Sequence, residues 1–288
     1  MISSTKNPRI VEARKLSQRK HRLRQNRFLV EGLQLLTMAM EMAALSAHHA
    51  KIKPLEVFYN ETLFVGDIAP RLLPKLEAAG ATLIPVTPNV LDTLSARDTS
   101  QGITATFTLN TLAWQLDELA SHLQIAQSPN LLLILDQLQD PGNLGTLIRT
   151  ADATNVGGVI LLEPCVDPFD PKTIRGTMGS IFTVPFSRVQ AIDTLQTQVT
   201  AWGYRLVGAD GPRGVVPWQN ERLAGPIALV LGNEARGLDD RWHHHLTDYV
   251  GLPLLGHAES LNVSIAGGVL MYEWLRINQP NHRSVGKA

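Results

Sequence analysis

Three short polar clusters carry residue types that can do chemistry. In "LDQLQDPGNLGTLIRTAD", Asn143 is followed by Gly145 and, six residues on, by Arg149. In "LVLGNEARGLDDRW", Gly232, Asn233, Glu234 and Arg236 share one turn. In "GLPLLGHAESLNVSIAGG", Leu252, Leu254 and Leu255 run into Glu259, Ser260 and Asn262. Each cluster follows an apolar run, and open parallel sheets bind ligands outside the carboxyl ends of their strands. Taken singly, each also has a plain structural reading. Asn143 and Ser260 are N-cap types, Glu259 suits the positive end of a helix, and Arg149 and Glu234 are ordinary surface residues. One cap is enough for one helix, however, and Asn262 stands beside Ser260 without that excuse. Gly232 lets a ligand approach its backbone. The chain has neither the spaced glycines of a dinucleotide loop nor a P-loop lysine, which counts against nucleoside-triphosphate chemistry and a nucleotide-binding oxidoreductase.

The elements that must position these clusters form two patterns. From "RFLVEG" to "GITATFTL", short apolar runs alternate with helical stretches such as "APRLLPKLEAAG", which predicts a small α/β domain over residues 1–110. A polar, helix-prone connector fills 111–129. Beyond it, "LLLILD" is apolar throughout, as a strand buried on both faces of a parallel sheet must be. "GVILL", "TVPFSRV", "YRLVGAD", "IALVLG" and "DYVGLPL" continue a sheet of about six strands in a domain over 130–280. A helix starts near Leu144 and another near Asn262, where Ser264, Ala266, Gly267 and Gly268 permit close packing against another backbone. Residues 281–288 read as a frayed tail.

Composition narrows the partners. The formal net charge is zero, yet residues 1–30 hold nine basic residues against Glu12 alone, a balance of +8 that leaves −8 for the rest. Such segregation is the footprint of phosphate-backbone binding, and Arg14, Arg19, Lys20, Arg22, Arg24 and Arg27 are the candidate RNA contacts. A solvated basic terminus is the bland alternative. No apolar run approaches the roughly 20 residues that span a bilayer, and the opening residues lack a secretory signal, so the expected address is cytoplasmic. Cys165 is the single cysteine, read as packed, and excludes an intramolecular disulfide. His243, His244 and His245 point about 100° apart on a helix and do not converge on a metal. The five tryptophans are scattered and read as core or interface.

Together the three clusters resemble those of the SpoU-type RNA ribose methyltransferases of the SPOUT superfamily. The matching residues are Asn143, Gly145, Arg149, Thr150 and Ala151; Leu231, Gly232, Glu234, Gly237 and Leu238; and Pro253 with Ser260 to Ser264. "FLVEG" and "SARDTSQGITATF" resemble the ribosomal-protein-like substrate-binding domain often fused to these enzymes. The resemblance implies a C-terminal trefoil knot, a homodimer with its active site at the subunit interface, and S-adenosylmethionine as methyl donor. It places Gly232, Leu252, Leu254 and Leu261 around the cofactor, without metal. Arg149 would assist loss of the proton from a ribose 2′-hydroxyl, while Asn143, Glu234, Ser260 and Asn262 position the reactants. An arginine stabilises a developing alkoxide electrostatically far more readily than it accepts a proton. The substrate implied is structured RNA, rRNA before tRNA. A non-catalytic RNA-binding or ribosome-assembly protein on the same scaffold is the alternative, and self-protection against a ribosome-directed antibiotic would use the same residues.

Overall fold

The computed structural model describes residues 1–45, 51–95, 100–110, 112–125, 131–219 and 221–279. The expected tail, the end of the connector, residues 46–49 of the first long helical run and residues 96–99 of "SARDTSQGITATF" lie outside them. The chain divides into two compact units, one formed by 1–113 with 167–183, the other by 114–166 with the chain from 184 onward. Residues 167–183, which sequence reading placed with the second domain, thus group with the first.

In the first unit, β1 (Arg27–Glu31), β2 (Pro54–Tyr59), β3 (Thr82–Pro85) and β4 (Ile103–Thr108) form a sheet in the order β1-β4-β2-β3. β4 runs antiparallel to both neighbours, whereas β2 and β3 are parallel. The basic lead is not a loose terminus. It folds into α1 (Pro8–Arg14), a short 3-10 turn and α2 (Arg19–Gln25). Asn7 caps α1 with Pro8 at its first position, and Ile10, Ala13 and Leu16 are buried. Ile10 and Ala13 pack with Phe58, Val86 and Val90. α3 (Leu33–Leu45) and α4 (Ile68–Ala78) also lie in this unit, as does α5 (Pro88–Asp92). The 167–183 segment carries α8 (Pro171–Gly176) and sets Phe169 against Phe28 at 4.9 Å and Phe182 against Phe107 at 5.6 Å.

The second unit is a six-stranded parallel sheet. β5 (Leu131–Asp136), β6 (Gly158–Leu162), β7 (Phe186–Val189), β8 (Arg205–Ala209), β9 (Ile227–Leu231) and β10 (Asp248–Val250) stand in the order β10-β8-β9-β5-β6-β7. The three central strands, β9, β5 and β6, are buried along their whole length, as their continuous apolar runs require. α6 (Leu116–Ile125) and α9 (Ile192–Ala201) contribute Leu119, Leu195 and Val199 to the core. α7 (Pro141–Ala153) packs against α10 (Val263–Asn278). At Gly267, α10 meets side chains, not the backbone expected, since a Cβ there would lie 2.6 Å from both Leu147 of α7 and Leu231 of β9.

β10 is shorter than "DYVGLPL" suggests. Pro253 has no N–H to give a ladder, and the chain past Val250 meets another segment instead of a strand. Asp210 N–H donates to Val250 O at 2.9 Å, and Gly251 N–H to Val215 O at 3.0 Å. A Cβ at Gly214 would lie 2.1 Å from the Val250 carbonyl carbon, so only glycine allows this backbone crossing.

Candidate active site

β5 and β9 are neighbours in register, Leu135 opposite Leu231, so the clusters after them leave the sheet side by side. Here the strand order reverses, the switch point at which such sheets open a crevice. Glu234 reaches across it. Its carboxylate accepts Gln139 N–H at 3.2 and 3.1 Å, Asp140 N–H at 3.0 Å and Asn143 Nδ2–H at 3.2 Å. A carboxylate against the amino end of α7 meets the partial positive charge of the helix and donors with no partner inside it. Asn143 Oδ1 in turn accepts from Asn262 Nδ2 at 2.9 Å. One chain of hydrogen bonds therefore joins all three clusters.

The caps differ from expectation. Asp140, not Asn143, caps α7, its side chain accepting Asn143 N–H at 2.9 Å, which leaves the Asn143 amide to bridge Glu234 and Asn262. Asn262, not Ser260, caps α10, accepting Ser264 N–H at 2.9 Å and Ile265 N–H at 3.4 Å. Its Oδ1 is the cap and its Nδ2 the tie. Ser260 is exposed beside the cap and makes no hydrogen bond among the described residues.

Beside this network lies a cavity of about 690 Å³. Gly232, Leu252, Leu254 and Leu261 all line it, as do Glu234, Glu259 and Ser260. Its far wall, Asp210 to Arg213, follows β8 and was not anticipated, although "GADGPRG" marks it as a turn. Two further residues have a role that the sequence does not assign them. Asn233 ties the turn shut by accepting Ala235 N–H at 3.0 Å and donating to Gln137 O at 2.9 Å. Asp136, buried at the end of β5, accepts from Trp242 Nε1 at 2.8 Å and pairs with Arg241.

Arg149 stands apart. Six residues beyond Asn143, it points about 120° round the helix from it, is exposed, does not line the cavity, and has no partner among the described residues.

The RNA candidates separate into two groups. Arg14, Arg19, Lys20 and Arg24 are exposed. Arg22 is buried, donating to Asp167 Oδ2 at 2.8 Å and to the Leu16 and Ser17 carbonyls at 2.8 and 2.9 Å. Arg27 pairs with Glu56 at 2.6 Å and is largely covered. Arg22 is corrected to a structural ion pair, because a guanidinium committed to a buried carboxylate is not available to phosphate, whereas Arg27 stays partly exposed beside Glu56. The histidine run also disperses: His243 meets Tyr249 Oη at 2.7 Å and Asp240 at 2.9 Å, while His245 faces Asp193 at 3.4 Å. Cys165 is packed, and burial pushes its thiol up to about 12.

Residues 130–272 match the SpoU rRNA methylase family, and residues 7–105 match the MRM3-like substrate binding domain. An uncharacterized tRNA/rRNA methyltransferase of Synechocystis sp. is 32% identical, over 94% of this chain and 92% of its own. The chain belongs to the SpoU rRNA methylase family. Another relative, the 23S rRNA (guanosine(2553)-2′-O)-methyltransferase RlmP of Bacillus subtilis, is 30% identical over 94% of this chain and 97% of its own. The AdoMet-bound rRNA methyltransferase of Sinorhizobium meliloti has the same fold, with a TM-score of 0.82 at 30% identity and coverage of 96% and 97%. As a SpoU methylase, the chain is an RNA 2′-O-ribose methyltransferase that takes its methyl group from S-adenosylmethionine. The cavity fits that cofactor. Its volume lies within the roughly 300–1,000 Å³ usual for such sites, and it leaves Leu254 and Leu261 39% and 40% exposed for a ligand to cover.

Proposed function

We propose that this enzyme methylates the 2′-hydroxyl of a ribose in 23S rRNA, and that it works as a homodimer in the cytoplasm, where ribosomal RNA is made. The observation that carries the reading is the Glu234–Asn143–Asn262 chain, which unites three distant clusters beside a cavity of cofactor size. The names of relatives such as RlmP support the choice of RNA.

Gly232, Leu252, Leu254 and Leu261 hold S-adenosylmethionine, which supplies a methyl group already activated by its sulfonium charge. The protein's remaining tasks are alignment and charge. Asn143 and Asn262, fixed by Glu234, keep the cavity wall in register, and Ser260 offers its hydroxyl to the reactants at the cavity mouth. Arg149, aided by the neighbouring RNA phosphate, stabilises the oxyanion that develops as the ribose hydroxyl loses its proton to water.

A dimer brings Arg149 to a cavity. Ile265, Val269 and Tyr272 recur at helical spacing along α10 and are 56%, 42% and 53% exposed, an apolar stripe on the helix that packs against α7. Pairing two such faces about a two-fold axis covers the stripe and supports a site in which Arg149 of one protomer serves the cofactor of the other. The backbone crossing of 210–215 with 249–251 supports a knotted C-terminal end. The test is incubation of purified protein and labelled S-adenosylmethionine with unmodified 23S rRNA, followed by mapping of 2′-O-methyl positions. Label confined to a single ribose is expected. An unlabelled 23S rRNA beside a labelled tRNA would overturn the substrate.

A further inference from the structure

We infer that the first unit holds a second RNA site, a pocket for one unstacked nucleotide of the substrate, built from residues that take no part in the cofactor cavity. The inference rests on the substrate reading above and extends it. A cavity of about 110 Å³ opens within this unit. Arg14 and Ser17 of the basic lead form one side, Thr93 to Ser95 another, and Pro171, Ile174 and Arg175 the third. The volume is well below the roughly 300–1,000 Å³ of a cofactor site, so a single small group is the largest occupant it admits.

The lining sorts by burial. Leu94 and Ile174 are buried and give the floor an apolar surface. Glu31 is buried there too, and its carboxylate accepts the Ser95 hydroxyl. An apolar floor with a carboxylate is a poor seat for a phosphate and a good one for the face of a base. At the mouth, Arg14 is exposed and Arg175 half-buried, and neither forms an ion pair among the described residues. This contrasts with Arg22 and Arg27 of the same lead, which are committed to Asp167 and Glu56. Two uncommitted guanidinium groups suit the flanking phosphates, since the planar fork grips phosphate oxygens bidentately and also stacks on bases. Single-stranded RNA is recognised in this way, by bases splayed from the helix and backbone held by charge. The pocket needs Arg175 from the 167–183 segment, which gives that excursion into the first unit a recognition role.

The test compares Arg14→Ala, Arg175→Ala and the double variant with Lys75→Ala, an exposed lysine outside the pocket that matches one charge. RNA affinity for an unmodified 23S rRNA transcript is measured against salt concentration, cofactor affinity by calorimetry, and turnover with saturating RNA. The double variant is expected to bind RNA at least tenfold more weakly, with a salt slope lower by about 1 to 2 and with kcat and cofactor affinity unchanged. A double variant within twofold of Lys75→Ala overturns the pocket. A transcript carrying 4-thiouridine is expected to cross-link within residues 14–17, 93–95 or 171–175 of the unaltered enzyme, and cross-links confined elsewhere overturn it independently of any variant's folding. A wild-type enzyme that leaves the transcript unmethylated overturns the substrate reading instead, before variants are compared.

Discussion

Asn262 donates to Asn143 at 2.9 Å across 119 residues of chain, and the orientation of both amides is forced. Asn143 must turn its Nδ2 toward the Glu234 carboxylate, which leaves only its Oδ1 for Asn262. Asn262 must keep its Oδ1 on the Ser264 and Ile265 amides, which leaves only its Nδ2 for Asn143. Neither side chain can flip without placing two acceptors or two donors face to face.

Two variants of Asn262 separate these duties. Asn262→Asp keeps the cap and loses the donor, so methyl transfer is expected to fall at least tenfold with little change in melting temperature. Asn262→Ala loses both and is expected to cost a further ~1 kcal/mol of stability, read as several degrees of melting temperature. Parental activity in Asn262→Asp would show that the tie to Asn143 does nothing.

Arg149 is exposed and unpartnered among the described residues, so its loss leaves packing untouched. Arg149→Ala is expected to reduce turnover by a factor on the order of 100 or more, the scale of removing one oxyanion-stabilising donor, while S-adenosylmethionine affinity stays within twofold. Turnover at the parental rate would remove Arg149 from the mechanism.

The basic lead contains two kinds of arginine. Arg22→Ala strands the Asp167 carboxylate, whose side chain is only 9% exposed, and is expected to destabilise the fold by about 3–5 kcal/mol. Alanine at Arg19, Lys20 or Arg24 is expected to leave unfolding unchanged and to flatten the salt dependence of RNA binding, by about 1 in slope for each phosphate no longer neutralised. Chemical denaturation and binding titrations at several salt concentrations distinguish the two.

Cys165 supplies a pH signature. Burial raises its thiol from 9.0 to about 12, with smaller influences from Glu163 and neighbouring backbone groups. Between these values the unfolded chain gives up the thiol proton while the folded protein keeps it. The resulting stabilisation is present below pH 9 and is lost as pH rises toward 12. Cys165→Ala is therefore expected to unfold with a shallower alkaline dependence than the parent, measured by denaturant midpoint against pH. Rapid alkylation of the native protein at pH 8 would contradict the buried thiol.

Much of the second unit was legible in advance. Runs such as "LLLILD" and "IALVLG" have one solution, a strand covered on both faces, and three polar clusters in a fixed order mark where such strands empty. Less legible was everything decided by distant partners. Nothing near Arg22 distinguishes it from Arg24, because Asp167 lies 145 residues away. Asp140 and Asn143 are both capping types within one turn, so the choice between them falls to Glu234, which takes the Asn143 amide. "DYVGLPL" reads as one strand until Gly214 occupies the space beside Gly251.

The recruitment of 167–183 by the first unit has a consequence for synthesis. Phe28 and Phe107 leave the ribosome long before Phe169 and Phe182, the rings that cover them. The amino-terminal core is incomplete while only its own stretch has been translated. Its completion waits until β5, α7 and β6 have already emerged, and a chain stopped near residue 113 would lack the rings that cover Phe28 and Phe107.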